Sequence, residues 1–236
     1  MLLRLLKEHF FFSNLASWFC SLIPPAVEHN FAKYRAIGQA MYLTGAEHLD
    51  GDYLEFGVFT GGSLVAATRY DRRLRKTLGN KESRFFGFDS FDGFGQVKPE
   101  DKHPFFIDGL FRVDEMKTRR NIGRNTRGSK VELVKGDFRD SLTSTSAKDL
   151  GIKRARVVFI DCDLKEPAEL ALAWSGPALQ VGTVVILDDY YAFRGRRDRG
   201  VAGAFDAFQE QHPQFQFRSL FKYGFGGAAF IVSDVK

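Results

Sequence analysis

Two short runs, "FIDCD" (159–163) and "VILDDYY" (185–191), each drive an apolar segment straight into carboxylates: Asp161 and Asp163 in the first, Asp188 and Asp189 in the second. Like charges gathered at the end of a buried segment are costly unless something neutralises them. A divalent cation would do so, because hard ions such as Mg²⁺ take oxygen ligands and keep positions for water or substrate oxygens. Asp161, Asp188 and Asp189 are the expected ligands, since the two runs read as strands that would lie side by side in one sheet. The alternative, that Asp188 or Asp189 caps the next turn, accounts for one acid and not for all three.

Other acids follow the same rule of placement. In "LEFGVFTGGS" (54–63) an apolar strand carries Glu55 and passes through Gly57, Thr60, Gly61 and Gly62 to Ser63, where a helix should begin. Glycine lets the backbone approach a ligand, Ser63 is placed to cap the helix, and the amide-rich helix start favours anionic groups. The spacing is neither G-x-G-x-x-G nor a P-loop. Such a turn suits the carboxylate and ammonium of an amino-acid moiety, with Glu55 answering the positive end. "RFFGFDSFDG" (84–93) ends its strand in Asp89, followed by Ser90. An acid there accepts from the vicinal hydroxyls of a ribose, which fits NAD and S-adenosylmethionine alike. "VKGDFRDSL" (134–142) sets Gly136, Asp137 and Phe138 after the third strand. Asp137 either accepts from an adenine amino group while Phe138 packs the ring, or caps the following helix.

The elements that must position these groups alternate short β-rich runs with longer amphipathic stretches. Strands are expected at 53–58, 84–89, 131–136, 155–161, 183–189, 215–221 and 227–233, and helices at 31–46, 62–76, 139–149, 166–179 and 200–211. The last two strands, separated only by "KYGFG", should be antiparallel. The fold class is α/β: a Rossmann-like, seven-stranded, mostly parallel sheet with an antiparallel last strand and helices on both faces. Glu55, Asp89, Asp137, Asp161, Asp163, Asp188 and Asp189 then share the carboxyl edge of the sheet, where open parallel sheets bind ligands.

Composition agrees, since 236 residues with 44% hydrophobic content can bury one sizeable core. Cys20 and Cys162 are too few for a disulfide framework, so a cytoplasmic location is expected. The net charge of +5 permits an anionic partner without requiring one. Residues 1–30 form an expected helical extension, a lid or an interface, with apolar positions 3, 6, 10, 15, 18, 19, 22 and 23 approximating one helical face that could dock on the domain, meet a second subunit or lie on a membrane surface. The run from Phe10 to Val27 is interrupted by serines, Asn14 and two prolines and is too short to span a bilayer. Residues 31–236 are the expected main domain, with 95–130 as a substrate-loop insertion that includes a helix. His103, Phe105 and Phe106 in that insertion are candidate acceptor contacts or core-facing aromatics.

On these motifs the chain resembles the class I S-adenosylmethionine-dependent methyltransferases and, within them, the macrocin O-methyltransferase (TylF/MycF/NovP) family of antibiotic-sugar O-methyltransferases. The resemblance runs from about residue 30 to the end, through "EFGVFTGGS", "GFDSFDGF", "VELVKGDFRDSL", "FIDCD" and "VILDDYY". It implies S-adenosylmethionine held by Glu55, Gly57, Thr60, Gly61, Ser63, Asp89, Ser90, Gly136, Asp137, Phe138 and Asp161. It also implies Mg²⁺ held by Asp161, Asp188 and Asp189, with Asp163 as general base beside Asp161. One departure stands out: where the family has an aromatic residue and Glu-Ser-Thr after the D-x-D pair, this chain has "LKEPAEL", with Lys165 and Pro167. Lys165 could pair with Asp163 and change which group takes the proton.

The expected reaction is methyl transfer to a hydroxyl of a small sugar-containing or polyhydroxylated acceptor, a sugar or vicinal diol, by a homo-oligomer. Two rivals are carried. Arg119, Arg120, Arg124 and Arg127, with Arg194, Arg196, Arg197 and Arg199, would suit RNA or another nucleic acid. Against that, the first cluster reads as a solvated helix face and no N-P-P-Y-like motif is present. A non-catalytic adenosine-cofactor-binding protein would leave three acids without a purpose.

Overall fold

The computed structural model describes residues 10–236. Positions 3 and 6 of the N-terminal apolar stripe lie outside the described residues. Helices α1 (Phe10–Leu22), α2 (Pro25–Ala46), α3 (Gly62–Leu78), α4 (Glu115–Asn125), α5 (Phe138–Ser144), α6 (Lys165–Ser175) and α7 (Gly200–Gln211) surround seven strands. These are β1 (Asp52–Phe56), β2 (Arg84–Asp89), β3 (Lys130–Lys135), β4 (Ala155–Ile160), β5 (Val184–Leu187), β6 (Phe215–Tyr223) and β7 (Gly227–Val235).

The strand order is β3-β2-β1-β4-β5-β7-β6. β1 to β5 pair in parallel, and β7 runs antiparallel to both β5 and β6, so β7 alone is reversed. The expected fold class holds. Alternation along β1 divides the core: Leu54 and Phe56 join Phe86, Phe88, Val158 and Ile160 under α5, α6 and α7, while Tyr53 joins Phe85, Val157 and Phe159 under α2 and α3. Ile160 pairs with Leu187 across β4 and β5, and this register brings Asp161 beside Asp188.

Two expected helix limits move for local reasons. α2 begins at Pro25, six residues before the expected start, because proline at the first helical position has φ already set and needs no amide partner; the helix therefore runs unbroken through residue 30. α5 stops at Ser144, and Ser146 then donates from its backbone N and its Oγ to Asp149 Oδ2, making a turn where helix was expected. α1 keeps its apolar stripe in solvent, with Phe10 87% exposed and Trp18, Phe19 and Leu22 over half exposed, so that stripe does not dock on the domain. Among the described residues no helix is long and apolar enough to cross a membrane.

Candidate active site

The β1–α3 turn is shaped by what lies under it. Gly57 has φ +94° and accepts no side chain, because a Cβ there would collide with the carbonyl oxygen of Asp161. β1 and β4 thus close tightly, with Asp161 N donating to Phe56 O at 2.8 Å. Gly61, at φ +82°, is the N-cap of α3, and no side chain caps that helix. Ser63, expected as the cap, instead donates its Oγ to Glu55 Oε1 at 2.7 Å, and Tyr53 Oη donates to Glu55 Oε2 at 2.7 Å. Glu55 is fully buried, and burial, opposed by those two donors and by Lys33, pushes its carboxyl up to about 7.

Asp89 organises the same turn. Its Oδ2 accepts from the backbone amides of Val58 (2.7 Å) and Phe59 (2.8 Å), and its Oδ1 accepts from Phe91 N (2.6 Å). The acid at the end of β2 therefore fixes the loop after β1 and its own loop together. Ser90 Oγ accepts from Asp92 N. Thr60 offers its carbonyl to Asn121 Nδ2 of α4. Gly136 N donates to Asp89 O at 3.1 Å, which ties the third loop to the second. Asp137 is the N-cap of α5, accepting from Arg139 N at 2.9 Å, so the capping alternative is realised. Phe138 packs edge-on against Phe56 in the core while still bordering the cleft.

These loops open onto a cavity of about 590 Å³, within the range of small-molecule sites. Gly57, Thr60, Ser63, Asp89, Ser90, Asp137, Phe138, Asp161, Asp163, Asp188 and Asp189 all border it; Glu55, Gly61 and Gly136 stand behind its wall. Its outer side is built by residues 94–111. That loop is closed on itself by Phe94 N to Leu110 O and Gly109 N to Phe94 O, and it is fastened to α6 by Lys98 Nζ to Glu166 Oε2 at 2.7 Å. Phe59, Phe94, Phe105 and Phe111 form an aromatic wall, with Phe111 touching the other three rings. Phe105 lines the cavity as expected. His103 and Phe106 do not; they stack on each other and on Phe193 behind it.

The acid cluster differs from its expected arrangement. Asp161 and Asp188 are adjacent, but the ammonium of Lys33 on α2 stands between them, 2.9 Å from Asp161 Oδ2 and 2.6 Å from Asp188 Oδ2. Asp188, 2% exposed, also accepts from Tyr223 Oη at 2.8 Å and meets His29 Nε2 at 3.2 Å. Burial alone would raise Asp188, yet Lys33 and His29 override it and hold the carboxyl below the ordinary range. Asp161 moves the other way: burial and the charge of Asp188 raise it well above that range despite Lys33. His29 is raised by its bond to Asp188, against burial. Asp189 lies against Asp163, which burial and that contact raise well above an ordinary carboxyl.

Among the described residues no group of three or more His, Cys, Asp or Glu side chains is disposed to hold a metal ion. Asp161, Asp188 and Asp189 thus do not fit the expected Mg²⁺ site, because Lys33 fills the space between two of them and the third is engaged elsewhere. Lys165, expected near Asp163, points instead to Glu169 (3.8 Å) and the Asp198 carbonyl (3.5 Å).

Reading the sequence missed His29, Lys33 and, Phe105 apart, the phenylalanine wall. The available signal was "EHNFAK", which sets two cationic side chains four apart on one helix face; what they face is decided by tertiary packing alone. The arginines of the two clusters, 119–127 and 194–199, do not line the cavity, and several are paired locally: Arg119 with Glu115, Arg196 with Asp198, Arg197 with Asp206.

A parallel sheet reversed at its last strand, with a ligand-sized cavity along the carboxyl edge and an acid closing each of β2, β4 and β5, defines a Rossmann-like methyltransferase of class I. The chain belongs to the macrocin-O-methyltransferase (TylF) family, whose model matches residues 30–214, and it is an S-adenosylmethionine-dependent O-methyltransferase. Among solved structures it is similar to the O-methyltransferase NovP, with 22% identity, 85% of this chain and 79% of that chain covered, and a TM-score of 0.68. CalS11, a calicheamicin methyltransferase, shares 22% identity over 82% of this chain and 76% of its own, with a TM-score of 0.60. In a second structure CalS11 is described as a TDP-rhamnose 3'-O-methyltransferase. An O-methyltransferase from Bacillus cereus in complex with SAH follows, at 19% identity, 84% and 80% coverage and a TM-score of 0.53. No curated protein sequence matches significantly.

Proposed function

We propose that this chain moves the methyl group of S-adenosylmethionine to a hydroxyl of a small sugar-containing or polyhydroxylated acceptor. The observation that carries the reading is one continuous cavity of about 590 Å³, which runs from Asp137 past Asp89 and the Gly57 turn to Asp161, Asp163, Asp188 and Asp189. A nucleoside donor at the Asp137 end would bring its sulfonium to the second acid group, where an acceptor would lie. That CalS11 is described as a TDP-rhamnose 3'-O-methyltransferase supports a sugar as acceptor.

In this reading the loops of Gly57, Thr60, Gly61 and Ser63 receive the methionine portion, and Glu55 answers its ammonium from beneath. Asp89 and Ser90 take the ribose, the carboxylate using the one lone pair on Oδ1 left over from its three backbone bonds. Gly136, Asp137 and Phe138 border the adenine. Transfer is an in-line displacement, which asks chiefly that the acceptor oxygen be held about 3 Å from the methyl carbon on the far side from sulfur. The oxygen–carbon bond forms as the carbon–sulfur bond breaks, the sulfur keeps the electron pair, and the hydroxyl proton passes to the carboxylate of Asp163.

The test is incubation with the methyl donor and a panel of nucleotide sugars, glycosides and catechols, followed by mass analysis and release of S-adenosylhomocysteine. A methylated hydroxyl is expected. Binding of NAD in calorimetry, with no heat for either sulfur nucleoside, would overturn the assignment.

A further inference from the structure

We infer that Lys33 is the resident cation of the acid cluster, standing where a divalent ion would be held and offering its remaining N–H bond to the acceptor oxygen. The inference rests on the methyl-transfer reading of the cavity and concerns the charge that organises it.

The first ground is exclusion. Mg²⁺ bound to carboxylates lies about 2.1 Å from each oxygen. Lys33 Nζ is 2.9 Å from Asp161 Oδ2 and 2.6 Å from Asp188 Oδ2, so an ion bridging those same oxygens would overlap the ammonium. The second ground is saturation. Asp188 also takes the Tyr223 hydroxyl and His29, and Asp189, the remaining expected ligand, is bonded to Asp163.

The third ground is that Lys33 is built in. Its side chain is 13% exposed, its ammonium lies 5.9 Å from the Phe159 ring centroid, and the next turns of α2 put Ala36, Ile37 and Ala40 into the core. A surface lysine loses rotamer freedom to make an ion pair, whereas this one is positioned by the helix that carries it. Two of its three N–H bonds go to the acids, and Lys33 borders the cavity. An ammonium and a chelated ion also select differently. A chelated ion is best served by two neighbouring oxygens, while an N–H donor needs one, so the acceptor class extends to isolated hydroxyls.

The experiment uses the full chain with S-adenosylhomocysteine bound, dialysed against chelator, then freed of chelator and titrated with Mn²⁺ while the resonance of the free aqueous ion is followed. The wild type should leave that signal unchanged into the millimolar range. Lys33→Gln, checked for folding by circular dichroism, should take up one Mn²⁺ per chain. Stoichiometric, micromolar Mn²⁺ uptake by the wild type would overturn the inference and needs no variant; so would a folded Lys33→Gln that binds none. Methyl transfer by the wild type should persist in excess chelator, and loss of turnover there with recovery on Mg²⁺ would also overturn it. Absence of turnover under every condition would count against the proposed function and leave the Mn²⁺ titration to decide the role of Lys33.

Discussion

Tyr53 and Glu55, two residues apart on one face of β1, are joined by a 2.7 Å hydrogen bond from phenol to carboxylate in the interior of the protein. The bond favours the charged carboxylate, but burial is the larger influence, and the carboxyl is raised from 4.5 to about 7. A raised folded-state value means that Glu55 contributes stability below pH 4.5 and loses it as pH rises through about 7. The loss is roughly 3 kcal/mol from the size of the shift. Urea unfolding of the cofactor-free protein at pH 5 and pH 8 should show that decline, and Glu55→Gln should remove it. An equal decline in the variant would place the titration on another group.

Asp163 and Asp189 both have left-handed backbone, at φ 62° and 49°, and their carboxyls meet. Because burial and the contact with Asp189 raise Asp163, the rate should climb with pH as Asp163 gives up its proton. Asp189→Asn removes the neighbouring charge, so the rising limb of the pH–rate profile should move to lower pH. Asp163→Asn should lower kcat by about 10²-fold or more, as for a lost general base. A profile unmoved by Asp189→Asn would assign the limb to a different acid.

Asp89 holds the loops after β1 and β2 through three backbone amides. Asp89→Ala should weaken S-adenosylhomocysteine binding by about 1.5–3 kcal/mol, the cost of losing hydrogen bonds to a charged group. Calorimetry reads this directly, and an unchanged affinity would move the ribose elsewhere.

At the opposite edge of the sheet Arg156, 2% exposed, donates to Met41 O (2.6 Å) and Thr44 Oγ1 (2.7 Å) and lies 3.6 Å from Asp71, which is 1% exposed. Arg156→Ala leaves Asp71 with Arg75, whose Nε is 2.9 Å away, but takes the donor from the buried Met41 O and Thr44 Oγ1, and should cost about 1–3 kcal/mol in denaturant unfolding. Combining Arg156→Met with Asp71→Leu should recover part of that, since the second buried charge goes with the first and Arg75, 27% exposed, keeps Glu82 as a partner.

The sheet and its acidic edge were legible because they depend on local pattern: apolar runs ending in Asp89, Asp161 and Asp188 mark strand ends whatever surrounds them. Adjacency of Asp161 and Asp188 followed from assuming that consecutive parallel strands pair. What was not legible depends on a distant segment. Lys33 lies 128 residues before Asp161, and nothing in the spacing of the acids says whether a metal or an ammonium will answer them. Ser63 shows the same limit on a smaller scale: as a residue at a helix start it reads as a cap, and only the buried Glu55 behind it draws the hydroxyl inward.

α2 is a 22-residue helix whose buried residues all lie in its second half, from Ala36 to Gly45. From Ala36 onward it is seated in the core and tied through Met41 and Thr44 to Arg156, while its first turns reach the domain through His29 and Lys33, over the cavity. At 1.5 Å per residue it is about 33 Å long, which makes it a cantilever clamped at one edge of the sheet with its tip over the other. A small tilt at the clamp moves the tip farthest, directly above the chamber. How His29 and Lys33 stand over Asp161 and Asp188 is therefore set as much by the seating of α2 against Arg156, at the far edge of the sheet, as by the acids they meet.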